Sequence, residues 1–225
     1  WPSSGRRGPR RTWSSSCALA RPGRTGRTCP SAASLVPAAA SSAPAAAAGA
    51  ARPAHAPGFL TAAQLPAAHT PWTAGPVTRG LPPEGSACLA DAVPARGTSH
   101  RDFRTELDTG ARQTTTVTAG EAQAVRLART LRRAVATCVE RTKAEDPGLV
   151  GETRYHGTVD AEDGAHVYSI DTAYPQDGAT DIALVSVGRD GRTVTVVEWG
   201  QLGDLDGAPL DGFRATTRTA LERLR

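Results

Sequence analysis

Ile182-Ala183-Leu184-Val185-Ser186-Val187-Gly188-Arg189-Asp190-Gly191-Arg192-Thr193-Val194-Thr195-Val196-Val197-Glu198-Trp199 is the stretch on which the fold turns. Two runs rich in β-branched and apolar residues flank Asp190-Gly191. An Asp-Gly step between such runs signals a hairpin, because a type I′ turn needs positive φ at both central residues. With Asp190-Gly191 as the two-residue loop, Val187 pairs with Val194 and Val185 with Val196. The other face pairs Leu184 with Val197 and Ile182 with Trp199. A strand pair apolar on both faces belongs inside a sheet that is covered on both sides.

Asp163-Gly164 and Asp177-Gly178 punctuate the preceding residues in the same way, which predicts four strands in a meander. A two-residue loop at Asp163-Gly164 sets Val159 against Tyr168, Gly157 against Ile170 and His156 against Asp171. Upstream, Gly120 to Lys143 has apolar residues at Val125, Ala128, Leu131, Val135 and Cys138, widened by Leu127 and Ala134. That spacing predicts one long amphipathic helix, stopped by Asp146-Pro147-Gly148. Before it, Arg101–Leu107 and Arg112–Thr118 read as extended runs separated by Asp108-Thr109-Gly110. A short helix is expected near Phe59 to Leu65, with Thr61 as its cap and Pro66 as its stop. Phe213 to Leu224 reads as a last helix turning Phe213, Ala220, Leu221 and Leu224 toward the sheet. The expectation is a single α+β domain, residues 59–225: two strands, a long helix and a four-strand meander in a mostly antiparallel sheet, with flanking helices.

Charge divides the chain at the same boundary. Residues 1–58 hold eight of the 26 basic residues and none of the 22 acidic ones. Residues 59–225 therefore carry 18 basic against 22 acidic groups, a net charge of −4. The sequence pI near 9.2 belongs to the arm, and a basic pI is no argument that the domain binds nucleic acid. Residues 1–58 are rich in Arg, Pro, Ser and Ala without apolar periodicity, so they read as a disordered tail or linker. No apolar run approaches the length of a membrane helix. The Ala tract of residues 34–51 is cut by Pro37 and Pro44, and Cys17 lacks the apolar approach of a lipoprotein cysteine. An export signal is not clearly legible in the chain.

Cys88 and Cys138 are the only cysteines of the domain, and neither belongs to a Cys-x-x-Cys pair, so zinc is not expected. Two reduced core cysteines are one reading. A bridge between Cys88 and Cys138 is the other and the one expected, and it implies an oxidising compartment. His156, Asp171 and Ser169 fall on one face and invite a Ser-His-Asp reading. Against it, Ser169 sits in mid-strand without a strained turn or oxyanion donors. That face is expected to be polar and solvent-facing. Asp204, Asp206 and Asp211 lack the order of a calcium loop, and no phosphate-cradling glycine loop follows a strand. No catalytic, cofactor or metal residues are assigned.

The stretch Phe59-Leu60-Thr61-Ala62-Ala63-Gln64-Leu65-Pro66, the early Cys88, the long helix ending at Cys138 and the C-terminal strands together resemble the extracellular sensor domain of PknH-type receptor serine/threonine kinases. Exported actinobacterial proteins and lipoproteins carry the same domain without a kinase. Abundant Ala, Gly, Pro and Arg beside one Lys, Lys143, is the residue usage of a GC-rich genome. The resemblance implies an α+β sensor with a central cleft and intramolecular disulfides. It carries over no ligand contacts. Arg132 and Arg133 stand where that family is expected to place an aromatic residue. The resulting expectation is a monomeric, non-catalytic ligand-sensing or binding module, extracellular or at the cell envelope, that takes a small molecule or an envelope component. The alternatives are a secreted hydrolase using His156, Asp171 and Ser169, and a nucleic-acid-associated protein acting through its basic arm.

Overall fold

The computed structural model describes residues 56–86, 88, 89 and 91–225; the expectations for the arm, Cys17 included, lie outside the described residues. In chain order the elements are a 3-10 turn (Ala62–Gln64), β1 (Thr73–Ala74), β2 (Thr78–Arg79), β3 (Thr98–Arg104) and β4 (Gly110–Val117). Then come α1 (Glu121–Ala136), α2 (Cys138–Glu145), β5 (Val150–Val159), β6 (Ala165–Tyr174), β7 (Ala179–Asp190) and β8 (Thr193–Leu202). A second 3-10 turn (Leu205–Gly207) leads to α3 (Leu210–Glu222). All eight strands form one antiparallel sheet in the order β1-β3-β4-β8-β7-β6-β5, with β2 also paired to β3. The architecture is α+β and mostly antiparallel.

β7 and β8 sit inside this sheet and are covered on both faces, as two-sided apolar strands require. On one face Ile182, Leu184, Val197 and Trp199 pack with Phe213, Ala220 and Leu221 of α3. On the other, Val185, Val187, Val194 and Val196 pack with Leu131, Val135, Cys138 and Val139 of α1 and α2. The register of the hairpin differs from the expectation by two residues, so the faces are kept. Leu184 lies opposite Trp199, Val187 opposite Val196, and Asp190 opposite Thr193. The turn is Gly191-Arg192, with Gly191 at φ 51° as its first central residue. Glycine in that position suits a type II′ turn, which needs positive φ there alone.

The β5–β6 hairpin departs further. Val159 lies opposite Ala165, not Tyr168, and Ile170 lies opposite Thr153, not Gly157. The connection is five residues, 160–164, closed by a Gly164 N–H to Ala161 carbonyl bond of 2.7 Å. A bulge between Tyr155 and Thr158 then shifts the register again. Three arginine side-chain contacts hold this irregular edge: Arg214 donates to the carbonyls of His156 (2.9 Å) and Thr158 (2.6 Å), and Arg218 to that of Asp160 (2.6 Å). The guanidiniums of α3 thus satisfy carbonyls that a bulge takes out of the ladder.

The expected single long helix is two. Thr137 leaves helical geometry at φ −106° and ψ 11°, and its hydroxyl donates back to the Arg133 carbonyl at 3.0 Å. Such back-bonding by a β-branched residue bends helices. Ala124, rather than Val125, is the fully buried residue of the first turns. At the N-terminal end Leu60 is completely buried, its N–H donating to Gln113 Oε1 at 2.7 Å. Gly58 N–H donates to the Arg223 carbonyl at 2.7 Å. Thr61 precedes the short 3-10 turn, where Gln64 Oε1 accepts from its N–H at 2.8 Å. Among the described residues no helix is long and apolar enough to cross a membrane.

Candidate functional site

α1 and α2 cover only part of their face of the sheet. Beyond them lies an open groove, about 500 Å³ over β3, β4 and β8 and about 410 Å³ over β8, β7 and β6. Ala183 and Gly200 line both parts, so the two are continuous. Strand alternation explains its depth: Gly110, Gly200 and Ala183 occupy successive cross-strand positions and raise no bulky side chain from the floor. Ile170 and Leu202 supply apolar wall, and Leu202 is 61% exposed.

At the inner end, three charged residues stand side by side on adjacent strands. Asp102 of β3 pairs with Arg112 of β4, which pairs with Glu198 of β8. Arg112 Nε donates to Asp102 Oδ1 at 2.5 Å, and its Nη1 to the Glu84 carbonyl at 2.6 Å. Burial pushes the Glu198 carboxyl above the usual carboxylate range; the Ser86 hydroxyl and Arg112 oppose the shift, and Asp102 adds to it. The shift makes the protonated form of Glu198 easier to reach than for a free carboxylate, and in that form it can donate a hydrogen bond as well as accept one. It also lines a small apolar pouch beneath the 81–93 segment, with Leu81, Leu89 and Val93. The arrangement offers an apolar trough with hydrogen-bonding groups at one end. That is the usual composition of a small-molecule site.

Glu198 was within reach of sequence reasoning. A lone carboxylate between Val197 and Trp199, on a strand apolar on both faces, marks a covered position where water is scarce. Asp102 and Arg112 gave no such signal, because their runs alternate polar residues throughout.

Cys88 and Cys138 come together at disulfide distance, with Cα atoms 5.1 Å apart. The bridge fastens the 81–93 segment to the start of α2. Arg141 Nη2 adds a bond to the Cys88 carbonyl at 3.0 Å.

The proposed Ser-His-Asp set is only partly assembled. His156 lies in the bulge of β5, and its Nε2 is 2.8 Å from Ser169 Oγ. Asp171 is opposite Glu152, not His156, because the five-residue loop and the bulge move the whole strand. Their face is not solvent-facing either: Ser169 is 1% exposed and shares its side of the sheet with the core under α3. Burial lowers the His156 pKa, and Arg154 and Arg214 lower it further. A general base flanked by two guanidiniums and lacking a carboxylate orienter is poorly placed to take a proton. The pair serves to satisfy a buried hydroxyl. Among the described residues no group of three or more His, Cys, Asp or Glu could hold a metal ion.

No family model matches the chain, and no curated protein matches it.

Proposed function

We propose that residues 59–225 form an exported, non-catalytic binding module at the cell envelope, which holds an elongated and largely apolar small molecule in the groove. The observation that carries this reading is the continuous trough over Gly110, Gly200 and Ala183, ending at Glu198 and Arg112. The ligand's apolar body lies on the glycine floor, and its polar head meets the Glu198 carboxyl. The close approach of Cys88 and Cys138 supports an oxidising compartment. The resemblance to PknH-type sensor domains, which have a central cleft, agrees with the same reading. The module works as a monomer, without a cofactor.

Gly200→Trp tests the groove. A Cβ at Gly200 would meet only the Ile182 carbonyl at 3.5 Å and the Ala183 Cβ at 3.8 Å, ordinary contacts, and its φ is not in the left-handed region. An indole there fills the trough without straining the backbone. Nile red fluorescence should rise on mixing with the unsubstituted protein and not with Gly200→Trp, at unchanged melting temperature. Equal fluorescence from both would remove the groove from consideration.

A secreted hydrolase using His156, Ser169 and Asp171 is the second reading, favoured by the 2.8 Å His156–Ser169 contact alone. A panel of ester, amide and glycoside substrates should show no turnover that His156→Ala abolishes. A hydrolysis that disappears with that substitution would make this reading the better one.

A further inference from the structure

A second cleft, about 180 Å³, opens between α1 and the strands β6 and β7, and it shares no lining residue with the groove. We infer that it is a binding site for a small tetrahedral oxyanion, phosphate or a phosphomonoester, held by Arg129, Arg132 and His166.

Arg129 and Arg132 are one turn apart on α1, with Val125 and Ala128 beside them, so both reach the same cleft. His166 and the Val187-Gly188 stretch form the opposite wall. Arg132 Nε is sealed from solvent and has no hydrogen-bond partner in the protein. Tyr168 lies close enough for Arg132 to act electrostatically on its hydroxyl. Tyr155 packs on Tyr168 and His166, with ring centroids 5.2 and 5.7 Å away. The Tyr155 hydroxyl lies 2.9 Å from His166 Nδ1. Burial, then Arg132, lowers the His166 pKa and so favours the neutral ring. In the tautomer whose Nδ1 accepts from Tyr155, the proton sits on Nε2, which is then a donor for a ligand.

Charge bookkeeping favours an anion. The cleft is lined by three guanidiniums and one carboxylate, Asp163. That carboxylate is already held by Arg189 at 2.8 Å and by the Gly191 N–H at 2.8 Å. Arg189 is further engaged by Glu121 at 3.4 Å and the Gly191 carbonyl at 2.9 Å. Arg129 and Arg132 are left to face the cleft as uncompensated cations. Guanidiniums match oxyanions in geometry and keep their charge at every accessible pH. Three donors arriving from a helix and a strand suit a group with several acceptor oxygens better than a flat carboxylate. The volume admits one such group, not a polymer.

Titration of the full chain with inorganic phosphate, followed by calorimetry and by the His166 ring resonances, tests the site. Saturable binding should weaken tenfold or more in Arg132→Gln and in Arg129→Gln, and be unchanged in Arg133→Gln, an exposed neighbour outside the cleft. Arg129 is itself exposed, so its substitution keeps the test meaningful if Arg132→Gln fails to fold. Vesicles carrying phosphatidic acid, a phosphomonoester lipid, against phosphatidylcholine alone, separate the two sources of a phosphoryl group. Retention by the former that is lost in Arg132→Gln upholds the site for a lipid headgroup, and phosphate binding without vesicle retention upholds it for a free ligand. No saturable binding to either, or equal weakening in Arg133→Gln, overturns it.

Discussion

Gln113 shows how much one buried polar side chain can organise. It is fully buried. Its Oε1 accepts from Leu60 N–H, and its Nε2 lies within reach of the Thr115 and Thr195 hydroxyls at 3.4 and 3.3 Å. Arg101 Nη1 donates to the Leu60 carbonyl at 2.9 Å, so both backbone groups of Leu60 are taken. Gln113→Leu keeps the volume but orphans a buried N–H, which should cost about 1–3 kcal/mol and is measurable by urea melts. A change under about 0.5 kcal/mol, the usual size for a surface site, would mean the network does not anchor the segment. Glu198 makes a prediction in pH. Its folded pKa is raised, so the folded state binds the proton more tightly than the unfolded one. Its contribution is therefore most favourable below the ordinary value of 4.5 and is lost as pH rises through the folded pKa. Glu198→Gln, permanently neutral, should melt higher than the parent near pH 7, and the gain should vanish below about pH 4. A constant gain across that range would show that titration of Glu198 is not its source.

At the scale of elements, the Arg214 side chain explains why β5 tolerates a bulge beside its free edge. Arg214→Met keeps most of the aliphatic stem and removes both donors to the His156 and Thr158 carbonyls. Amide exchange in residues 155–160 should accelerate while that of β7 and β8 stays slow, since edge segments open below the global free energy. Uniform exchange throughout the sheet would contradict this account. The same hairpin marks where sequence reading stops. Which faces of β7 and β8 are buried was legible, because period-two alternation survives a slip of two residues. The turn itself was not, since Asp190-Gly191 reads equally as two central residues or as a strand end followed by a turn-starting glycine. Around Asp163 the loop length depends on arginines more than fifty residues away, Arg214 and Arg218, which local pattern cannot see. The groove was hidden for a related reason. It exists because Gly110, Ala183 and Gly200 fall in line across three strands, and that alignment needs the registers. Thr137 breaks the long helix through a bond to its own preceding turn, which apolar spacing does not record.

For the molecule as a whole, the Cys88–Cys138 link joins the segment that walls the inner end of the groove to the helices that cover the sheet. The two cysteines are separated by 50 residues. Closing a loop of that length restricts the unfolded chain by about 4 kcal/mol in the entropic account. At roughly 2–4 °C per kcal/mol for a domain of this size, reduction or the paired change Cys88→Ser with Cys138→Ser should lower the melting temperature by about 10 °C. The folded state keeps a second tie when the link is cut, since Arg141 still reaches the Cys88 carbonyl and Leu89 is 2% exposed in the core under α1 and α2. The reduced protein is therefore expected to fold, with the sheet intact and the 81–93 segment loosened. Nile red should then bind more weakly, because Ser86 and Leu89 no longer close off the pouch beside Glu198. A melting temperature that moves by less than about 2 °C on reduction would show that the cysteines contribute as packed thiols. In that case the argument for an oxidising compartment would fall with them, whereas the groove, which rests on the strand registers, would stand.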